Sequence, residues 1–195
     1  MHSLILATSN PNKAKEIQSL LPGHFEVITL KEAGIEQEIP EPFFTLEENS
    51  RHKASTIYSL TGKDCFAEDT GLETEALNGA PGVHSARFAG EPLNDLRNME
   101  QLLNELNGET NRKAQFRTVM TLVLNGETHL FEGICKGQIT LCPRGTEGFG
   151  YDPVFVPEGS TFTFAEMGLE EKNRFSHRKK ALFKMIDYLQ KTITP

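Results

Sequence analysis

Cys65-Phe66-Ala67-Glu68-Asp69-Thr70-Gly71-Leu72 is the stretch whose reading decides the fold. Cys65, Phe66 and Ala67 make a short apolar run, the pattern of a buried strand. Two acids follow, then a hydroxyl and a glycine. A strand ending in acids puts carboxylates at the carboxyl edge of a sheet, where open α/β folds bind ligands. Neighbouring side chains on a strand point to opposite faces, so Glu68 and Asp69 are expected to serve different tasks. Asp69, beside the expected turn at Thr70-Gly71, is the candidate site residue. Taken alone, the motif is better explained as a strand-end acid capping a turn. The flanking sequence changes the balance.

Upstream, Leu4 to Thr8 reads as an apolar strand. Asn10 then has the character of an N-cap, with Pro11 at the first helical position. Ile17, Leu20 and Leu21 give that helix an apolar face, and Pro22-Gly23 ends it. Phe25 to Leu30 reads as a second strand, and residues 31–44, with Glu36, Glu38, Pro40, Glu41 and Pro42, as a loop. Thr45-Leu46-Glu47-Glu48 fits a capping box and predicts a helix to about Leu60, with Ala54, Ile57 and Tyr58 inward.

Downstream, Asn78-Gly79-Ala80-Pro81-Gly82 is dense in helix and strand breakers. Leu96, Met99, Leu102, Leu103 and Leu106 mark an amphipathic helix ending at Asn107-Gly108. Phe116 to Leu124, Asn125-Gly126, and Thr128 to Ile139 form a hairpin signal. Residues 143–152 are a glycine-rich loop before the short strand Val154-Phe155-Val156. Ser176 reads as the N-cap of a last helix with Leu182, Met185, Ile186 and Leu189 on one face. Strand–helix alternation followed by a hairpin predicts an α/β protein with a mixed sheet.

The chain has 195 residues, the length of about one domain, and residues 1–195 are read as a single one. A net charge of −7 argues against a general nucleic-acid binder but leaves room for a local basic pocket. The first residues lack a signal peptide's pattern, and no apolar run nears the ~18 residues of a membrane span. Cys65, Cys135 and Cys142 have no C-x-x-C spacing. Reduced thiols and a cytoplasmic location are expected.

Three stretches could carry chemistry. Thr8-Ser9-Asn10-Pro11-Asn12-Lys13 follows a strand and opens a helix, where free N–H groups and the dipole attract anions. Lys13 in the first turn opposes that dipole, which makes sense with an anion beside it. Gly145-Thr146-Glu147-Gly148-Phe149-Gly150-Tyr151-Asp152 combines close-approach glycines with Phe149 and Tyr151, two rings able to stack on a base. Between Glu171 and Lys180, cations crowd an expected helix start. There is no Walker A loop, no G-x-S-x-G and no H-E-x-x-H.

Together these stretches resemble the inosine/xanthosine triphosphate pyrophosphatase family. The likeness rests on Thr8-x-Asn10-x-x-Lys13-x-x-Glu16, on Glu68-Asp69-Thr70-Gly71-Leu72 with Gly79-Ala80-Pro81-Gly82 and Ser85-Ala86-Arg87, and on Gly148-Phe149-Gly150-Tyr151-Asp152-Pro153 with Glu171-Lys172 and Ser176-His177-Arg178, in register from Leu4 to about Leu189. The resemblance implies a two-lobed α/β fold around a long mixed sheet, with the substrate in a cleft between lobes. It implies magnesium-dependent hydrolysis of deaminated purine nucleoside triphosphates to the monophosphate and pyrophosphate, by a homodimer that cleanses the nucleotide pool.

Carried over residue by residue, it gives Thr8, Ser9, Asn10, Asn12 and Lys13 to the triphosphate. Asp69 becomes the essential carboxylate, as metal ligand, proton acceptor or both, and Thr70 a substrate contact. Phe149, Gly150, Tyr151 and Asp152 would line the base pocket. Lys172 would approach the nucleotide, and His177 with Arg178 would read the base. Glu41 fits the second metal carboxylate by its distance before Thr45-x-x-Glu48-Asn49, with Glu38 and Glu48 as alternatives. Donors at His177 and Arg178 suit the acceptor at position 6 of hypoxanthine and xanthine and reject adenine. A backbone N–H of the 149–152 loop is the candidate donor for position 2. A Maf-type pyrophosphatase shares the general architecture, but Ser176-His177-Arg178 and the Phe149–Asp152 loop argue against it. A non-catalytic nucleotide sensor is the reading from a different class.

Overall fold

The structure, a computed structural model, describes residues 2–23, 25–37 and 39–193. It divides into two compact units. The first comprises Met1–Asp69, Thr118–Gly133 and Arg178–Pro195, the second Thr70–Arg117 and Ile134–His177. Each is built from separate chain segments around its own core.

In the first unit, strand β1 (His2–Leu6) pairs in parallel with β2 (Phe25–Thr29) on one side and β3 (Cys65–Thr74) on the other. The strand order continues into β5 (Lys113–Leu124) and β6 (Glu127–Ile139). Asn125 and Gly126, both at positive φ, close the β5–β6 hairpin in the sense that suits twisted strands. Helix α1 (Pro11–Leu20) starts where expected: the Asn10 side chain accepts from the Asn12 and Lys13 amides, and Pro11 stands at the first position. Helix α2 (Leu46–Thr61) is capped by Thr45 and stopped by Gly62 at φ 63°. Helix α5 (His177–Ile193) lays Leu182, Met185, Ile186 and Leu189 against Leu4, Leu6, Phe66 and Met120. A second cluster joins Ile5, Ala7, Ala54, Ile57, Cys65 and Ala67. Helices thus cover the sheet because their apolar stripes have nowhere else to be buried.

In the second unit the order is β3-β5-β6-β7, with β7 at Phe155–Pro157 and β4 (Pro81–Gly82) antiparallel to β3. Helix α3 (Asp95–Glu105) begins at Asn94, whose side chain accepts the Arg97 amide. Leu72, Met99, Leu102, Phe116, Tyr151, Phe155 and Phe164 lie in its core. Parallel and antiparallel pairs together make the sheet mixed, as the order of elements predicted.

Two expectations are corrected. Strand β3 does not end at its acids but runs on to Thr74, so Asp69 is a mid-strand residue. Gly71 is needed for close approach, not for a turn: a Cβ there would lie 2.5 Å from the Gly82 carbonyl oxygen of β4. The cationic run is also not all at a helix start. A short helix α4 (Leu169–Phe175) precedes α5 and places Lys172 and Arg174 in its last turn, where cations favour the dipole.

Candidate active site

The polar centre of the first unit lies along β3. Glu68 is 1% exposed, and Arg178 reaches it from the start of α5. Arg178 Nε donates to Glu68 Oε2 at 2.8 Å, and its Nη1 donates to Glu16 of α1. Lys13 Nζ stands 3.3 Å from Glu68 Oε1. Burial by itself pushes the Glu68 carboxyl up. The Arg178 guanidinium, then Lys13 and Lys53, outweigh it and carry the group down to about 2. Glu68 is therefore a fixed anion that binds α1, β3 and α5 together.

Asp69 faces different company. Lys53, 7% exposed on α2, donates to Glu41 and to the Glu68 carbonyl at 2.7 Å, and lies 3.7 Å from Asp69 Oδ1. One cation thus serves Glu41 and Asp69 together. The Asn49 side chain accepts from the Phe43 amide and donates to the Phe43 carbonyl, which fixes the loop carrying Glu41. Of the other metal candidates, Glu48 is exposed and accepts the Thr45 hydroxyl at the cap, and Glu38 lies outside the described residues. The division of labour between Glu68 and Asp69 follows the alternation of a strand.

Among the described residues, no three His, Cys, Asp or Glu side chains gather as a ready metal cage. Magnesium takes one or two protein carboxylates and completes its shell with water and substrate phosphates. Glu41 and Asp69, hard oxygen donors grouped on one lysine, fit such an ion.

The start of α1 is closed by its cap. The Asn12 and Lys13 amides donate to Asn10 Oδ1 at 2.9 and 3.2 Å, and the Asn10 amide donates to Thr8 Oγ1 at 3.2 Å. A good cap spends the amides that an open anion cradle would need. Ser9 and Asn12 are exposed and Thr8 is half-buried. Lys13 has its anion inside the protein, in Glu68.

In the second unit, Asp152 and Lys172 form a buried pair at 2.7 Å. Asp152 Oδ2 also accepts the Phe149 amide at 2.9 Å. Gly148, at φ 79°, has no room for a side chain, since a Cβ would lie 2.0 Å from that same oxygen. The Lys172 ammonium sits 5.2 Å from the centre of the half-buried Phe149 ring. The Gly150 amide donates to Asp95 Oδ2 at 2.8 Å. The amides of Phe149 and Gly150 are thus engaged within the protein. Tyr151 is a core residue, 4% exposed, its hydroxyl donating to the Ser85 carbonyl at 2.8 Å. Phe149 is left as the loop's ring for stacking. His177 lies flat on Phe116, ring centres 4.7 Å apart. Thr70 opens this unit's segment of β3 and is half-buried.

His177 and Arg178 adjoin in sequence but have separate neighbours. His177 packs in the second unit and Arg178 belongs to the first, bound to its two carboxylates. Successive residues of a helix diverge by about 100°.

Residues 4–188 match the Ham1 family. This chain belongs to that family. A dITP/XTP pyrophosphatase of Flavobacterium psychrophilum is 51% identical over 187 residues, covering 96% of this chain and 98% of its own. One of Porphyromonas gingivalis is 50% identical over 190 residues, covering 97% and 98%. Among solved structures, the Ham1 protein of Coxiella burnetii superposes with a TM-score of 0.90 at 35% identity, covering 98% of this chain and 100% of its own. That of Staphylococcus aureus gives 0.89 at 35% identity, covering 97% and 99%.

Two residues of this Ham1 chain were missed in the sequence as members of the site: Lys53, and Glu16 as the second partner of Arg178. Lys53 carried a signal. It stands in the same helical stripe as Leu46, Ser50, Ala54 and Ile57, where a solvated lysine has no place. Glu16 sat in the motif but gave no hint that its partner lay 162 residues away.

Proposed function

We propose that the chain hydrolyses deaminated purine nucleoside triphosphates, namely ITP, dITP and XTP, to the nucleoside monophosphate and pyrophosphate, and so cleanses the nucleotide pool. The observation that carries this reading is the Asp69–Lys53–Glu41 group on a Ham1 chain whose relatives, named dITP/XTP pyrophosphatases, match it over nearly their whole length. Water attacks the α-phosphorus, the bond to the bridging oxygen breaks, and pyrophosphate leaves with that electron pair. Asp69 orients the water or takes its proton. Glu41 and Asp69 would hold Mg2+, which when bound offsets the negative charge gathering on the leaving group. Lys53 keeps the two carboxylates together. Thr8, Ser9, Asn10, Asn12 and Lys13 are assigned to the triphosphate and Thr70 to a substrate contact. Phe149 stacks on the base, Lys172 and Asp152 fix its loop, and His177 and Arg178 are assigned to base recognition. Residues 1–195 act as one catalytic domain in a cytoplasmic homodimer. No helix among the described residues is long and apolar enough to cross a membrane.

The test is a panel of ITP, XTP, GTP and ATP with chromatographic identification of products, with and without magnesium. ITP and XTP should give monophosphate and pyrophosphate, with ATP and GTP poorer by at least about 10-fold, the worth of one mismatch near 1.4 kcal/mol. Diphosphate with inorganic phosphate as products, or binding without turnover, would defeat the reading.

A further inference from the structure

The loop 148–152 is held from outside its own sequence. Its Phe149 amide is satisfied locally by Asp152, but the next amide, that of Gly150, reaches Asp95 Oδ2 at 2.8 Å, 55 residues away. Asp95 is not needed to cap its helix, since Asn94 already does so. Its carboxylate is therefore available to the loop. The helix behind it is anchored. Asn98, 2% exposed on α3, donates to the Ala86 carbonyl and accepts from the Ala89 amide, both at 2.8 Å. The same 85–89 segment receives the Tyr151 hydroxyl through the Ser85 carbonyl at 2.8 Å. Loop, helix start and 85–89 segment thus meet at one junction, where Asp95 of α3 accepts the Gly150 amide. The negative charge of Asp95 also adds to burial in raising the Tyr151 phenol.

We propose that Asp95 is a positioning residue for nucleotide recognition: it clamps the Gly150 amide and so fixes the face that Phe149 presents to the purine. This rests on the reading above, in which the loop receives the base. A carboxylate accepting an amide forms a charge-assisted bond, stronger than a neutral one. It holds the loop in its binding geometry before the nucleotide arrives, and ordering a loop at the moment of binding costs affinity. Asp95 touches neither the α-phosphorus nor the attacking water in this scheme. Its loss should weaken ground state and transition state alike, and so appear in KM and not in kcat.

The experiment compares Asp95→Ala, Asp95→Asn and Phe149→Ala with the parent protein in steady-state hydrolysis of ITP, alongside thermal melting. Asp95→Ala should raise KM by about 10-fold and leave kcat within about 3-fold. Asp95→Asn keeps an acceptor oxygen and should recover most of the loss. A KM for Asp95→Ala equal to the parent's, with or without a lowered melting point, would overturn the proposal and leave Asp95 a helix-start residue. If Asp95→Ala does not fold, Asp95→Leu, which also lacks the acceptor at this exposed helix start, takes its place: a raised KM with kcat held supports the clamp, and a parental KM sinks it. Phe149→Ala separates the two levels. A raised KM there with Asp95→Ala normal rejects the clamp alone, whereas a normal KM in Phe149→Ala removes the loop from base binding and the clamp with it.

Discussion

Arg178 Nε donates to Glu68 Oε2 at 2.8 Å across 110 residues of sequence, both side chains almost fully buried. The pair joins the start of the last helix to the central strand. Removing one partner of a buried pair leaves an uncompensated charge, typically at a cost of about 3–5 kcal/mol. Arg178→Met should lose stability on that scale in urea or thermal unfolding, since it takes from both Glu68 and Glu16 the guanidinium they accept from. A loss below about 1 kcal/mol would show that the carboxylates find other partners.

The same carboxylate gives the fold an acid limit. Glu68 is held at about 2, below its ordinary 4.5, because Arg178 and then Lys13 and Lys53 outweigh the cost of burial. A group whose folded value is depressed stabilises fully above its unfolded value, and that stabilisation is lost as pH falls through the folded value. The contribution should therefore fade between about pH 4.5 and 2, by up to about 3 kcal/mol. Urea midpoints across that range should decline for the parent and decline less for Glu68→Gln. Parallel profiles for the two would deny Glu68 this role.

Asp69→Asn keeps the shape of the side chain and removes its charge. Lys53 would still hold Glu41 and the Glu68 carbonyl, so the fold should persist. Turnover of ITP should fall by about 10²-fold or more, the range for loss of an acid–base group. Near-parental turnover, with the melting point retained, would remove Asp69 from the chemistry.

The cysteines should differ in reactivity. Burial, helped by the Asp64 charge, pushes the Cys65 thiol up to about 12. Cys135 is also buried, whereas Cys142 is exposed. Thiolate is the reactive form. Brief alkylation of the native protein at neutral pH, read by mass spectrometry, should label Cys142 alone, with all three labelled after unfolding. Native labelling of Cys65 would contradict its placement.

What was legible in the sequence was local. Asn10-Pro11, Thr45 with Glu48, and Asn125-Gly126 announced their elements because caps and tight turns depend on a few adjacent residues. The continuation of β3 past Asp69 was not legible, because Gly71 answers to the Gly82 backbone and not to its own neighbours. Asp69 was a candidate from its strand motif and Glu41 one of three that the family resemblance offered, whereas the lysine that lies near both comes from the middle of a helix. Lys13 shows the limit of one-dimensional electrostatics. Its place at a helix start suggested an incoming phosphate, while the fold supplies Glu68 at 3.3 Å. Lys13→Ala should accordingly lower stability, by about 1–3 kcal/mol as for a buried group stripped of a partner, and melting curves will show whether it does.

The first unit draws on Met1–Asp69, Thr118–Gly133 and Arg178–Pro195, and its core seats Leu182, Met185, Ile186 and Leu189 beside Leu4 and Leu6. A ribosome delivers these segments in order, so Leu4 and Leu6 emerge long before the helix that covers them. Until that helix has been released, the nascent chain carries an open apolar sheet face and a buried-to-be Glu68 without its guanidinium. Completion of this unit therefore waits for the emergence of Arg178 and the helix it opens. A stop just before Arg178 would remove the lid of the core together with the arginine that neutralises its acids.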